Sequence, residues 1–247
     1  MSAQPESDTI VLLHGFAGTR HTWDRVRDAL GAGGRRSLAL DLPGHGSRAD
    51  RGTVGGFAGC AEQVLAAAPP RFALCGYSLG GRVALHVALA APQRVARLVL
   101  VSTSAGIADE HERERRREAD ERLAEALVHE PFERFVAGWS DQPLFAEDPA
   151  AVRAAAQAEQ SANDPRALAA VLRELGAGTM EPLWDRLGEL DMPAHVVVGE
   201  RDGRYRAIGR EMAARMPDAR LTVIGGGHRL ALESPAALAA AIGAPGG

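Results

Sequence analysis

Over the first hundred residues, short apolar runs alternate with longer stretches of helical spacing. Thr9–Leu13, Ser37–Asp41, Arg71–Gly76 and Arg97–Ser102 read as strands. Between them, about Trp23–Leu30, Val54–Ala68 and Leu79–Ala91 carry apolar side chains three or four positions apart, the period of a helix with one buried face. Strand and helix in alternation imply a parallel sheet covered by helices on both faces. From 108 to 190 the pattern is almost wholly helical: Asp109–His129, Pro131–Trp139, Pro149–Ala162, Pro165–Leu175 and Leu183–Leu190, several of them opened by proline. After Pro193 the alternation returns, with strand Ala194–Gly199, helix Ala207–Met216, strand Arg220–Ile224 and helix Pro235–Ile242. The chain is therefore expected to be one α/β unit: a mostly parallel sheet built from 1–107 and 191–247, with residues 108–190 inserted as a helical cap.

Composition narrows the class of partner. The 247 residues bury a full core without disulfides or metals, and a net charge of -4 with no basic block argues against nucleic acid. No apolar run is long enough to cross a bilayer, and the first eight residues lack the charged and apolar regions of a signal peptide. Cys60 and Cys75 have no metal-ligand spacing, so a reduced, cytoplasmic setting is the simplest expectation. Oligomeric state is not legible. All of the basic side chains are arginine, and Asn163 is the only asparagine, which together with the alanine-rich stretches reads as codon bias. Arginine also suits carboxylates through its planar, permanently charged fork, so each must be judged by its place.

The strongest chemical signal is Gly76-Tyr77-Ser78-Leu79-Gly80, set between an expected strand and an expected helix. A serine on so sharp a turn projects its hydroxyl above the sheet edge, and glycines flank it because side chains there would collide. That hydroxyl is inert until a histidine takes its proton and a carboxylate holds the histidine's tautomer. Asp202 in Gly199-Glu200-Arg201-Asp202 and His228 in Gly225-Gly226-Gly227-His228 both follow late strands, at the edge where open α/β sheets bind ligands. Glu200 competes as the acid but lies nearer the strand end, so Asp202 is preferred. His14, just after the first strand, is read as part of a tight loop. That loop would offer the Phe16 N–H, together with the Leu79 N–H, to a developing oxyanion. His45 in Asp41-Leu42-Pro43-Gly44-His45-Gly46 is read as structural. His21, His86, His111, His129 and His195 have no acid or nucleophile at a meaningful spacing, and Cys75 reads as packing.

Leu13-His14-Gly15-Phe16, the Asp41–Gly46 turn, Gly76-Tyr77-Ser78-Leu79-Gly80-Gly81-Arg82, Gly199–Asp202 and the late Gly227-His228 resemble the α/β-hydrolase superfamily over nearly the whole chain. Gly81-Arg82, Trp139 with Gln142-Pro143-Leu144-Phe145-Ala146, and Pro182-Leu183-Trp184-Asp185-Arg186-Leu187 narrow the resemblance. They point to the menaquinone-pathway MenH family, the 2-succinyl-6-hydroxy-2,4-cyclohexadiene-1-carboxylate synthases. The resemblance implies a carbon–oxygen lyase that expels pyruvate from an enolpyruvyl cyclohexene with three carboxylates, without metal or cofactor. It also implies that Arg82 and Arg116 bind carboxylates and that Tyr77 and Trp139 line the pocket. For both arginines a plain salt bridge is the alternative, and Arg113 could substitute for Arg116. An arginine usual in the family before a segment like Ala162-Asn163-Asp164-Pro165 is missing, with Gln157 and Gln160 in its region. Either Arg153 replaces it or one carboxylate is held differently. The N-terminal hairpin common in the superfamily is expected to be short or absent. The competing function is a serine carboxylesterase using the same triad through an acyl-enzyme, since fold alone does not choose between the chemistries.

Overall fold

The computed structural model describes residues 9–49 and 54–244. The strands are β1 (Thr9–Leu13), β2 (Arg36–Leu40), β3 (Phe72–Tyr77), β4 (Val95–Val101), β5 (Ala194–Gly199) and β6 (Ala219–Ile224). They form one sheet in the order β2-β1-β3-β4-β5-β6, with every pairing parallel. The helices are α1 (Asp24–Ala32), α2 (Gly56–Ala67), α3 (Leu79–Ala90), α4 (Glu110–His129), α5 (Phe132–Trp139), α6 (Ala150–Gln160), α7 (Pro165–Leu175), α8 (Gly203–Arg215), α9 (Leu230–Glu233) and α10 (Pro235–Gly243). The expected hairpin region, residues 1–8, lies outside the described residues.

Alternate strand residues feed two separate cores, as the two-residue period of a strand requires. Val11, Leu13, Leu74, Leu98, Leu100, Val196 and Val198 pack with Phe57, Val83, Leu85, Val87 and Met212 on one face. Ile10, Leu12, Cys75, Val99, Val101 and Val197 pack with Trp23, Val26, Leu30, Leu238 and Ile242 on the other. Both faces being dry explains why the central strands read as continuous apolar runs. The chain turns from β1 outward to β2, then crosses back so that β3 lies on the other side of β1. This reversal opens a crevice at the C-terminal ends of β1 and β3.

Helices α4 to α7 form the cap, with α4 lying along α7. Capping starts both: the Asp109 carboxylate accepts from Glu112 N–H (2.7 Å), and Asp164 accepts from Ala167 N–H (2.9 Å) with Pro165 in the first turn. Ala124, Leu127, Leu168, Ala169 and Leu172 make a small third core that closes over Ala17. Val171 and Leu175, on another side of α7, reach the sheet's own core. Residues 183–190, grouped by sequence pattern with the cap's α-helices, differ in kind: Trp184–Glu189 is a 3-10 helix. Leu183, Leu187 and Leu190 enter the core beneath the sheet, and Leu183 N–H donates to Ala105 O (2.7 Å). A short apolar segment satisfies a helical period equally well as cap or as core covering, so periodicity does not separate the two. Helix α8 begins at Gly203, four residues before the expected start, because the Asp202 carboxylate caps it through Tyr205 N–H (3.4 Å).

Polar contacts fix the cap on the core. Asn163 accepts from Gly46 N–H (3.0 Å) and donates to Ala17 O (3.0 Å), and the Glu174 carboxylate accepts from the N–H groups of Val54, Gly55 and Gly56. Among the described residues, no helix is long and apolar enough to cross a membrane.

Candidate active site

Strand β3 ends in a turn so tight that its residues are dictated by space. A Cβ on Gly76 would stand 2.2 Å from Gly80 O, and one on Gly80 would stand 2.3 Å from Leu13 O. Between them Ser78 takes φ +52° and ψ -112°, a strained conformation for a residue with a side chain. The strain is held by main-chain bonds: Ser78 N–H donates to Val101 O (3.0 Å), and the Thr103 hydroxyl donates to Ser78 O (2.7 Å). Ser78 Oγ is thereby aimed at His228 Nε2, 3.3 Å away.

His228 and Asp202 sit on the loops after β6 and β5, both essentially buried, with Nδ1 2.7 Å from Asp202 Oδ2. A proton on Nδ1 shared with the carboxylate leaves Nε2 as the acceptor facing the serine, which is the tautomer a general base needs. Tyr77 and Tyr205 pack on the imidazole at centroid distances of 5.3 and 4.6 Å, with Phe145 at 5.8 Å, so the ring has little freedom to turn. Glu200, the competing acid, is exposed.

The loop after β1 supplies the second half of the site. His14 and His45 are fully buried and brace it: His14 Nδ1 donates to Gly15 O (2.8 Å) while Nε2 accepts from Leu42 N–H (3.0 Å). His45 Nδ1 donates to Pro43 O (3.1 Å), and its Nε2 accepts from Ala17 N–H (3.2 Å). Burial pushes these imidazoles down, to about 4 for His14 and about 3 for His45, so each stays neutral and keeps its one-donor, one-acceptor pattern. They hold Gly15-Phe16-Ala17 against the elbow, with Ala17 at φ +56°. Phe16 and Leu79 both line the cavity, and among the described residues neither N–H has an acceptor. Leu79 opens α3, so its N–H has no helical partner.

Core and cap enclose a cavity of about 450 Å³ over Ser78. Tyr77, Arg82, Arg116 and Trp139 all line it, so the structure brings these sequence candidates together. Trp139 packs at 5.1 Å from Phe16 and 5.2 Å from Phe135. Arg82 donates to Leu175 O (3.1 Å) and lies over the Phe57 ring. Burial lowers its guanidinium to about 10, which leaves it charged at neutral pH. Arg116 lines the cavity, and its Nε donates to Asp120 (2.8 Å), one turn along α4. Arg113 and Arg153 are not among the lining residues. Arg113 reaches Ile107 O, and Arg153 pairs with Asp141 (3.2 Å), so of the two alternatives open for the missing arginine the placement does not favour Arg153. Gln160 lines the wall there instead, buried, with an Oε1 that among the described residues has no donor, whereas Gln157 does not line it.

Arg229 has no signal in the sequence. It pairs with buried Asp148 (2.6 Å), donates to Ser140 (3.2 Å) and lies 3.7 Å over Phe145. The residue next to the histidine thus ties down the 140–148 loop of the cap. Its partner is 81 positions away, and only its adjacency to His228 could have drawn notice.

The sequence profile described as the alpha/beta hydrolase family matches residues 10–241. The chain belongs to that family. Among α/β-hydrolases of known sequence it is 37% identical to a 2-succinyl-6-hydroxy-2,4-cyclohexadiene-1-carboxylate synthase of Klebsiella pneumoniae, over 98% of this chain and 94% of the relative. Among solved α/β-hydrolases it resembles MenH from S. aureus with a TM-score of 0.88 and 29% identity, covering 97% and 93% of the two chains. A thermophilic esterase from Thermogutta terrifontis, solved with malate bound, has a TM-score of 0.80 at 26% identity, covering 95% and 87%. The resemblance to the synthases seen in the elbow and cap motifs is borne out.

Proposed function

We propose that this α/β-hydrolase eliminates pyruvate from 2-succinyl-5-enolpyruvyl-6-hydroxy-3-cyclohexene-1-carboxylate, the lyase step of menaquinone biosynthesis. The observation that carries the reading is a triad serine sharing its cavity with Arg82 and Arg116, in a chain akin to the synthases over nearly its full length. An ester pocket has no need of guanidinium groups beside its nucleophile, whereas a substrate with three carboxylates does.

The atoms balance without water. His228 Nε2 takes the Ser78 hydroxyl proton, its positive charge held by Asp202, and the serine oxygen removes the ring C2 proton, acidified by the adjacent succinyl ketone. The C–H electron pair moves onto the ketone oxygen, and the Phe16 and Leu79 N–H groups hold the resulting enolate. As the carbonyl re-forms, the pair moves into a C2–C3 double bond and the old 3-ene pair into C4–C5. The C5–O bond breaks with its electrons leaving on the enolpyruvyl oxygen. The released enolate takes a proton on its methylene carbon and becomes pyruvate, leaving the 2,4-diene. Arg82 and Arg116 anchor carboxylates and Tyr77 and Trp139 shape the pocket, so that C2 is presented to Ser78. No step asks for a cofactor, and all reactants are soluble, consistent with a cytoplasmic reaction.

The same triad and N–H pair suit acyl transfer, and the likeness to the Thermogutta esterase keeps carboxylesterase activity as the second reading. Purified enzyme is expected to release pyruvate from the enolpyruvyl substrate with a kcat/KM far above that for p-nitrophenyl acetate. The opposite ranking would overturn the lyase reading.

A further inference from the structure

Five arginines line the cavity: Arg82, Arg116, Arg201, Arg204 and Arg229. Two are already neutralised, because Arg229 is spent on Asp148 and Arg201 on Glu233 and Glu147. Arg116 shares its charge with Asp120, and Arg82 contacts a carbonyl but no carboxylate. Arg204 is exposed at the cavity wall and, among the described residues, has no hydrogen-bonded or ion-paired acceptor within 4.0 Å. Among the described residues, the wall formed by the end of α6 offers no cation. Gln160 is neutral, Arg153 is turned to Asp141, and burial pushes the Glu159 carboxyl beside them up to about 7.

From this placement we infer that Arg204 is the third carboxylate anchor of the substrate, closing on it from the rim of the cavity. It rests on the lyase reading above and extends it. Three carboxylates are held most strongly by three cationic contacts, and with Arg229 and Arg201 committed to acidic partners the cavity has Arg82, Arg204 and Arg116, which Asp120 partly shares, to give. The position of Arg204 is fixed by the triad itself. It lies two residues after Asp202 in the first turn of α8, and the next residue, Tyr205, both donates its N–H to Asp202 and stacks on His228. A side chain so placed, with its base held and its head in solvent, can swing onto an arriving anion. Being at the rim, it serves capture more than the chemical step.

The test is steady-state pyruvate release by wild type, Arg204→Gln, Arg204→Lys and Arg210→Gln, the last an exposed arginine on the same helix outside the cavity. Arg204→Gln is expected to raise KM about tenfold with kcat within about twofold, the loss of one charge-assisted contact. Arg204→Lys should recover most of the affinity, Arg210→Gln should match wild type, and the salt dependence of kcat/KM should be shallower in Arg204→Gln. An unchanged KM in Arg204→Gln, or an equal rise in Arg210→Gln, overturns the anchor while the lyase reading stands. A wild type that releases no pyruvate overturns that reading, and the anchor with it.

Discussion

Ser78→Ala is expected to lower kcat for pyruvate release by about a thousandfold, within the range that removal of a positioned general base costs. Its melting temperature should stay within a few degrees of wild type. Among the described residues the hydroxyl makes no bond beyond its contact with His228, and the elbow is held by the bonds of Ser78's main chain to Val101 and Thr103, which alanine keeps. The residual rate would report what Arg82, Arg116 and the N–H pair contribute without the base. A variant that kept a tenth or more of wild-type kcat would mean that some other group removes the proton.

The second large effect is on stability. Gly80→Ala puts a methyl 2.3 Å from Leu13 O and 2.5 Å from His14 O, and a backbone carbonyl cannot rotate aside as a side chain can. Either α3 or the β1 loop must move, and the loop carries Phe16. The expected cost is about 3 kcal/mol or more, which for a chain of this size lowers the melting temperature by about 10 °C. Any folded fraction should show weakened catalysis through the displaced Phe16 N–H. The control is Gly138→Ala in α5, where a Cβ meets nothing within 4 Å and the exchange should be neutral or slightly stabilising. Equal melting temperatures for the two variants would refute the role given to this close packing. Thermal unfolding with kinetics on the folded fraction reads both consequences.

Much of this architecture is legible in the amino-acid sequence, for physical reasons that differ by element. The strands Thr9–Leu13 and Ala194–Gly199 are read to the residue because both faces are buried and their apolar runs end sharply at turn residues. The elbow is legible because its glycines answer to clashes within a few residues, and the preference for Asp202 over Glu200 follows from distance to the strand end. The Asp202–His228 bond and the packing of Tyr77 agree with that placement. Contacts between distant segments leave no local trace. Asn163 reaches Gly46 and Ala17, and Arg229 reaches Asp148, across separations that no periodicity encodes. The neutral bracing of the β1 loop by His14 and His45 depends on complete burial, which a turn-rich sequence does not announce. Arg153 fails as a replacement anchor for a similar reason: the geometry of α6 gives it Asp141, while Gln160, two turns along the helix, lines the cavity.

The all-arginine basic set thus sorts by partner. Part of it is surface pairing, such as Arg117 with Glu114 and Arg173 with Glu121, which contributes little individually. The cavity arginines not already committed to acids, Arg82 and Arg204 together with Arg116, are those whose replacement should change recognition of a multiply charged substrate. The proposed reaction is an elimination in which Ser78 and His228 remove the proton and no water is added. The mass of the ring product formed from the enolpyruvyl substrate tests that most directly. Elimination predicts a ring product equal to the substrate less pyruvate, carrying the diene chromophore; a ring product heavier by one water, with no diene, would contradict it.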